Sequence, residues 1–117
     1  MGRIVFPDYS NSILNLVSSI LGYYNVPANY HELDVLTQYL EKRRKNIVLM
    51  IFDGMGADML AKNALPSGFL LNHAIKRITS VFPPTTVAAT MSYYSGLSPN
   101  EHGWLGWSLF SGNTAEQ

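Results

Sequence analysis

Two segments of the sequence end in side chains that could do chemistry together. An apolar run, Ile47–Phe52, leads directly into Asp53. Farther along, Pro83-Pro84 interrupts a second apolar stretch, and Thr86 then opens a run of small residues. A carboxylate is a common metal ligand, and a threonine at a helix N-terminus lies beside free backbone N–H groups that favour anions. The pair therefore predicts part of a metal site that processes a phosphate group.

Each of these residues also has an ordinary structural interpretation. An Asp-Gly pair after a strand is commonly a turn or a helix cap. A Thr-Thr pair at a helix start is commonly a cap as well. The sequence after Thr86 favours the chemical interpretation.

The loop that follows Thr86 supplies a third motif, made of Ser95-Gly96, Pro99 and His102-Gly103. In this order the motifs resemble the alkaline phosphatase superfamily, in particular its type I phosphodiesterase/nucleotide pyrophosphatase branch, over roughly residues 46–106. In that family the nucleophile lies ten positions before the glycine that closes its helix. Ten positions before Gly96 is Thr86, not Thr85.

The resemblance implies a hydrolase of phosphate esters, of the phosphodiester or nucleotide pyrophosphate type, that acts through a covalent phospho-threonine. Two divalent metal ions, expected to be zinc, would be its cofactors, and a small-molecule phosphate ester its substrate. One ion would contact both Asp53 and Thr86, which makes Asp53 a metal ligand and Thr86 both ligand and catalytic nucleophile. Coordination would activate the hydroxyl by lowering its pKa. Thr85 is expected to cap the helix, and Thr90 to share the face of Thr86.

The apolar pattern predicts an α/β fold. Ile47–Phe52 and Ile78–Phe82 are typical of buried parallel strands. We expect them to be neighbours, with Asp53 and Thr86 at one edge of the sheet and their oxygens within about 5 Å. The resemblance implies that residues 46–117 are the incomplete N-terminal part of an alkaline-phosphatase-like sheet flanked by helices. Residues 1–45 are expected to form a helical lead-in.

Helical periodicity accounts for much of the remaining sequence. Apolar residues at helical spacing predict an amphipathic helix of about four turns that begins near Ser10. Asn29 followed by Glu32 predicts a capping box that opens a second helix through Leu40. Two further short helices are expected at 57–64 and 69–73.

Composition excludes several classes of partner. Hydrophobic residues make up 47% of the chain and charged residues only 14%, against about 25% in a usual soluble domain. With no net charge, nothing indicates a nucleic acid or an anionic membrane as partner. The absence of cysteine excludes a disulfide framework. The longest apolar run is far short of the ~20 residues that span a bilayer, and no targeting segment is recognisable, so a cytoplasmic location is expected.

The sequence contains few further metal ligands. After His102, itself expected to be a structural loop residue, there is no histidine and no aspartate. The resemblance therefore implies a longer parent enzyme, with this chain as an N-terminal fragment that is inactive alone and prone to self-association. One alternative is a non-catalytic α/β module that kept part of the fold. Another is a phosphomonoesterase, phosphonate hydrolase or phosphomutase of the same superfamily, which the sequence does not separate from a phosphodiesterase.

Overall fold

The structure is a computed structural model that describes residues 5–109. No strand occurs in this range, so the predicted α/β sheet is wrong for these residues. No helix in the same range is long and apolar enough to cross a membrane. The described residues form six helices, which are α1 (Ile13–Tyr23), α2 (Asp34–Leu40), α3 (Ala57–Asn63), α4 (Phe69–Asn72), α5 (Thr86–Ser95) and α6 (Pro99–His102).

The sheet is missing because Ile78–Phe82 does not pair with Ile47–Phe52. Instead, Thr79 forms a single parallel bridge with Ser12. The Thr79 N–H donates to the Asn11 carbonyl at 2.9 Å, and the Thr79 carbonyl accepts from the first residue of α1 at 3.0 Å. Because the chain turns into α1 at that point, the pairing cannot continue into a ladder. The second apolar stretch thus finds a different partner from the one predicted.

The start of α1 is fixed by a capping box. The Ser12 Oγ accepts from the Leu14 N–H at 3.2 Å, and the Asn15 Oδ1 accepts from the Ser12 N–H at 2.8 Å. These bonds satisfy N–H groups that have no partner within the helix. They place the first helical residue at Ile13, slightly after the predicted start near Ser10.

Asn15 also joins three parts of the chain. Its side chain is fully buried, and its amide donates to the carbonyls of Tyr9 and His31, both at 2.9 Å. Its Oδ1 accepts a second bond, from the Ser12 hydroxyl at 2.8 Å. Both N–H donors and both acceptor positions of the side chain are therefore used.

The second helix begins without the capping box predicted from Asn29 and Glu32. The Glu32 carboxylate accepts from the Thr37 hydroxyl at 2.8 Å, and the N-cap residue Leu33 has no side-chain cap. The Leu33 N–H donates instead to the Ser19 hydroxyl at 2.8 Å. Because Ser19 belongs to α1, this bond attaches α2 to α1.

A carboxylate links the early helices to α6. The Glu101 Oε2 accepts from the Ser98 N–H at 2.7 Å, the Ser98 hydroxyl at 2.8 Å and the Tyr30 hydroxyl at 2.6 Å. The Tyr30 bond, together with those from Ser98, holds the pKa of Glu101 below its usual range. Burial, together with the Glu101 carboxylate, raises the pKa of Tyr30.

The described residues divide into a packed and an open region. All buried residues lie between 12 and 40 or between 81 and 99, and none lies between 41 and 80. We call residues 8–40 and 81–103 the packed region; α1 packs there against α2 and α5, and α5 packs against α6. We call residues 41–80 the open region, which carries α3 and α4 close to their predicted bounds. The radius of gyration, 16.7 Å, exceeds the roughly 13 Å of a compact chain of this length, as an extended open region requires.

Candidate functional site

The start of α5 distinguishes the two threonines. The Thr85 Oγ1 accepts from the Ala88 N–H at 3.2 Å, so Thr85 is the cap and Thr86 is the first helical residue. At the other end, Gly96 takes a φ of +68° and ends the helix. The predicted cap and the predicted helix end are both confirmed. The Thr86 hydroxyl takes no part in the cap.

Asp53 lies next to Thr86. It occupies a turn in which Gly54 has a φ of +68°, at the end of the apolar run. The Thr86 Oγ1 is 3.5 Å from the Asp53 Oδ1. The predicted proximity is confirmed, although no sheet edge produces it. Both residues are exposed, so a ligand can reach them.

This separation is longer than a usual hydrogen bond between two oxygens and is close to the spacing of two oxygens on one zinc ion. A bond between two oxygens is usually about 2.7–2.8 Å long. Two oxygens on a tetrahedral zinc ion, each about 2.1 Å from the metal, lie about 3.4 Å apart. Within residues 5–109, however, no three His, Cys, Asp or Glu side chains are arranged to hold a metal ion. The described residues therefore bring two oxygens together at this position and do not form a complete metal site.

A cavity of about 370 Å³ opens beside the pair. Thr86, Thr90 and Tyr93 line one wall; they lie at positions i, i+4 and i+7 of α5 and so share a helix face. The predicted position of Thr90 is thus confirmed. Burial in this wall raises the pKa of Tyr93. The sequence analysis missed Tyr93, which its helical spacing from Thr86 would have revealed.

Two cationic residues of the open region, Lys76 and Arg77, also line the cavity. The Arg77 guanidinium is paired with the Asp58 carboxylate and holds the pKa of Asp58 below its usual range. Lys76 forms no ion pair with the part of the chain that the structure describes. Hydrogen bonds from Ser10 lower the pKa of Asp8, and the positive charge of Lys76 contributes further to this lowering. No spacing rule in the sequence distinguishes Lys76 from the other lysines.

A serine–histidine pair in the packed region is not a second reactive site. The Ser92 Oγ is 3.1 Å from the His102 Nε2, a spacing that suits a nucleophile and its base. The Trp104 N–H, however, donates to the His102 Nδ1 at 3.0 Å, so the proton of the neutral ring is on Nε2. That nitrogen donates to Ser92 and cannot take its proton. Because Ser92 is also fully buried, His102 acts as a structural link, as expected.

Comparison with known proteins identifies the family. A family model described as type I phosphodiesterase / nucleotide pyrophosphatase matches residues 47–116, more than half of the chain. This range includes Asp53, Thr86 and the His102-Gly103 loop. No curated protein matches the chain, and no solved structure does. The chain belongs to the type I phosphodiesterase / nucleotide pyrophosphatase family.

Proposed function

We propose that this chain carries the nucleophile and a metal ligand of a metal-dependent phosphate ester hydrolase of the phosphodiester or nucleotide pyrophosphate type. The observation that carries the proposal is the 3.5 Å distance between Thr86 Oγ1 and Asp53 Oδ1, in a member of a phosphodiesterase family. Zinc as the metal and a cytoplasmic location stay predictions from the sequence.

Thr86 is the proposed attacking group. Its Oγ forms a bond to phosphorus as the bond from phosphorus to the leaving oxygen breaks, which gives a phospho-threonine. The hydroxyl proton is released, and the leaving oxygen takes up a proton. Water then cleaves the new bond and restores the hydroxyl. A bound divalent ion, held by Asp53 and Thr86, would lower the pKa of the hydroxyl and stabilise the charge on the oxygens around phosphorus.

The cavity walls would position the substrate. The Thr86 hydroxyl faces Asp53, at the end of the α5 face that continues through Thr90 to Tyr93. The rest of the substrate would lie along this face, with a phosphate oxygen against the Lys76 ammonium. Such contacts orient the phosphorus for attack without taking part in bond exchange.

The test is a matched pair of substitutions in the full-length native protein that contains this sequence. Thr86→Ala should abolish turnover of a chromogenic phosphodiester, and a chelator should abolish turnover by the unmodified protein until zinc is returned. Thr85→Ala should remove about 1 kcal/mol of stability as a lost cap and leave most of the activity. If Thr85→Ala removes the activity and Thr86→Ala keeps it, the assignment of the nucleophile is wrong.

A non-catalytic role is the second candidate. It is favoured by one observation, that the described residues contribute only two ligands to any ion at this position. An ion held by two protein oxygens binds weakly. Absence of zinc-dependent turnover from the full-length native protein would favour this role. Faster turnover of a phosphomonoester than of a diester would instead keep the catalytic site and change its substrate.

A further inference from the structure

Two cavities lie between α5 and the apolar run that precedes Asp53. The first is the cavity of about 370 Å³ beside Thr86, and we call it the site cavity. The second has a volume of about 250 Å³, and we call it the rear cavity. Its lining is mostly apolar and includes side chains of α1 and of the apolar run, among them Val17, Leu21, Ile47 and Leu49. The rear cavity is therefore suited to an apolar group.

The two cavities follow one another in matching order along both elements that border them. On α5, Thr86 and Thr90 line the site cavity, whereas Ser95, at the end of the helix, lines the rear cavity. On the apolar run, Phe52 lines the site cavity and Ile47 lines the rear cavity. Because α5 and the apolar run border both cavities, the two cavities are consecutive parts of one groove.

Tyr93 lies where the two cavities meet. Among the described residues, it is the one that lines both of them. Its half-buried side chain packs against the buried cluster of Ile13, Leu14 and Val81. These contacts hold the ring in position, because closely packed neighbours leave it little room to move. The ring of Tyr93 therefore separates the space beside Thr86 from the rear cavity.

We propose that Tyr93 determines how long an organic group the site accepts on its phosphate ester, because its ring closes the site cavity toward the apolar rear cavity. This role rests on the proposed hydrolase function, in which that group lies along the α5 face from Thr86 to Tyr93. The two residues are seven positions apart, which is about 10 Å along a helix. A group within this span fits in front of the ring, whereas a longer alkyl chain meets the ring. Without the ring, such a chain would continue into the rear cavity and be buried there.

The test is a chain-length profile, measured on the full-length native protein with alkyl p-nitrophenyl phosphodiesters from methyl to decyl. For the unmodified protein, kcat/KM should fall for the longest chains. For Tyr93→Ala, each methylene that enters the rear cavity should instead raise kcat/KM about fourfold. Tyr93→Phe keeps the ring and should keep the unmodified profile. Tyr94→Ala is the second control, because Tyr94 lines the rear cavity alone and is largely exposed.

Each profile compares substrates on one variant, so a partial loss of folded protein does not change it. Should Tyr93→Ala not fold, Tyr93→Leu retains more of the packing and should shift the profile in the same direction. Binding of methyl and decyl phosphonate, followed by calorimetry, gives the same comparison without turnover. The expected chain-length dependence of binding in a protein without turnover would overturn the hydrolase function alone. Identical profiles for Tyr93→Ala and the unmodified protein, or an equal shift from Tyr94→Ala, would overturn the role of Tyr93.

Discussion

The packed region buries small polar side chains, whereas the open region exposes large apolar ones. Asn15 and Ser12 are completely buried, while Val48 and Phe69 are 77% and 74% exposed. Hydrophobicity alone would give the opposite order. Asn15 is held inside by hydrogen bonds that use its full capacity. The apolar run from Ile47 stays largely exposed, and within residues 5–109 it forms no strand pairing. Residue type alone therefore does not account for which side chains are buried in this chain.

The candidate site joins these two regions. Thr86 begins a capped helix of the packed region, whereas Asp53 occupies a turn of the open region. Packing of α5 therefore fixes the position of the Thr86 hydroxyl, whereas few contacts hold the Asp53 carboxylate in place. Changes in the packed region should affect global stability, and matched changes in the open region should not.

The largest contrast is expected from the same substitution at two asparagines. Asn15→Ala leaves the carbonyls of Tyr9 and His31 without their partner, and an unsatisfied buried group costs about 1–3 kcal/mol. The total loss of unfolding free energy in urea should be about 3 kcal/mol or more. Asn63→Ala removes one exposed bond, to the Met59 carbonyl, and should change stability by less than about 0.5 kcal/mol. Equal losses would contradict the division into two regions.

Two glycines give an intermediate contrast. Gly96 and Gly54 both have a φ of +68°, and a Cβ would meet only ordinary contacts at Gly96 and none at Gly54. Alanine at Gly96 should therefore lower the unfolding free energy by about 1–2 kcal/mol, the cost of a left-handed L-residue. Alanine at Gly54 should change it by less than about 0.5 kcal/mol, because that turn can relax without disturbing packing. A larger global loss at Gly54, measured in urea, would show that its turn belongs to the cooperative unit.

The smallest effect is expected from the Tyr30–Glu101 bond, and it should depend on pH. Folding lowers the pKa of Glu101 from its ordinary value of 4.5. Its contribution to stability is therefore complete at a pH well above 4.5, and it is lost as the pH falls through the lowered pKa of the folded protein. Tyr30→Phe should cost about 1 kcal/mol at neutral pH and less in acid, when unfolding is followed in urea. Tyr94→Phe, at an 82% exposed tyrosine, is the control and should change nothing. A loss at Tyr30 that is the same at every pH would contradict the proposed linkage.

The sequence predicted local features better than long-range pairing. The Thr85 cap, the end of α5 at Gly96 and the closeness of Asp53 to Thr86 were all predicted correctly. The helix end came from the family resemblance, and the closeness came from that resemblance together with a sheet edge that the described residues do not form. The sheet was wrong because an apolar run indicates that a segment needs partners without identifying them. Thr79 pairs with Ser12, and that choice depends on how α1 is placed. Ser12 and Asn15 form a capping box that the usual Ser/Thr–Glu/Gln pattern does not include.

Some hydrogen bonds join residues that are far apart in the sequence, and this affects how readily the chain between them can be lengthened. The Asp8 N–H donates to the Thr79 hydroxyl, and the Tyr30 hydroxyl to Glu101, each across 71 positions. Most of the open region lies between the two residues of each of these pairs, in a loop that the hydrogen bond already closes. Closure entropy grows with the logarithm of loop length, so doubling such a loop costs only about 0.6 kcal/mol. Insertions of tens of residues between Asp53 and Thr86 are therefore thermodynamically cheap, and descendants of this sequence could acquire them while still presenting the same threonine.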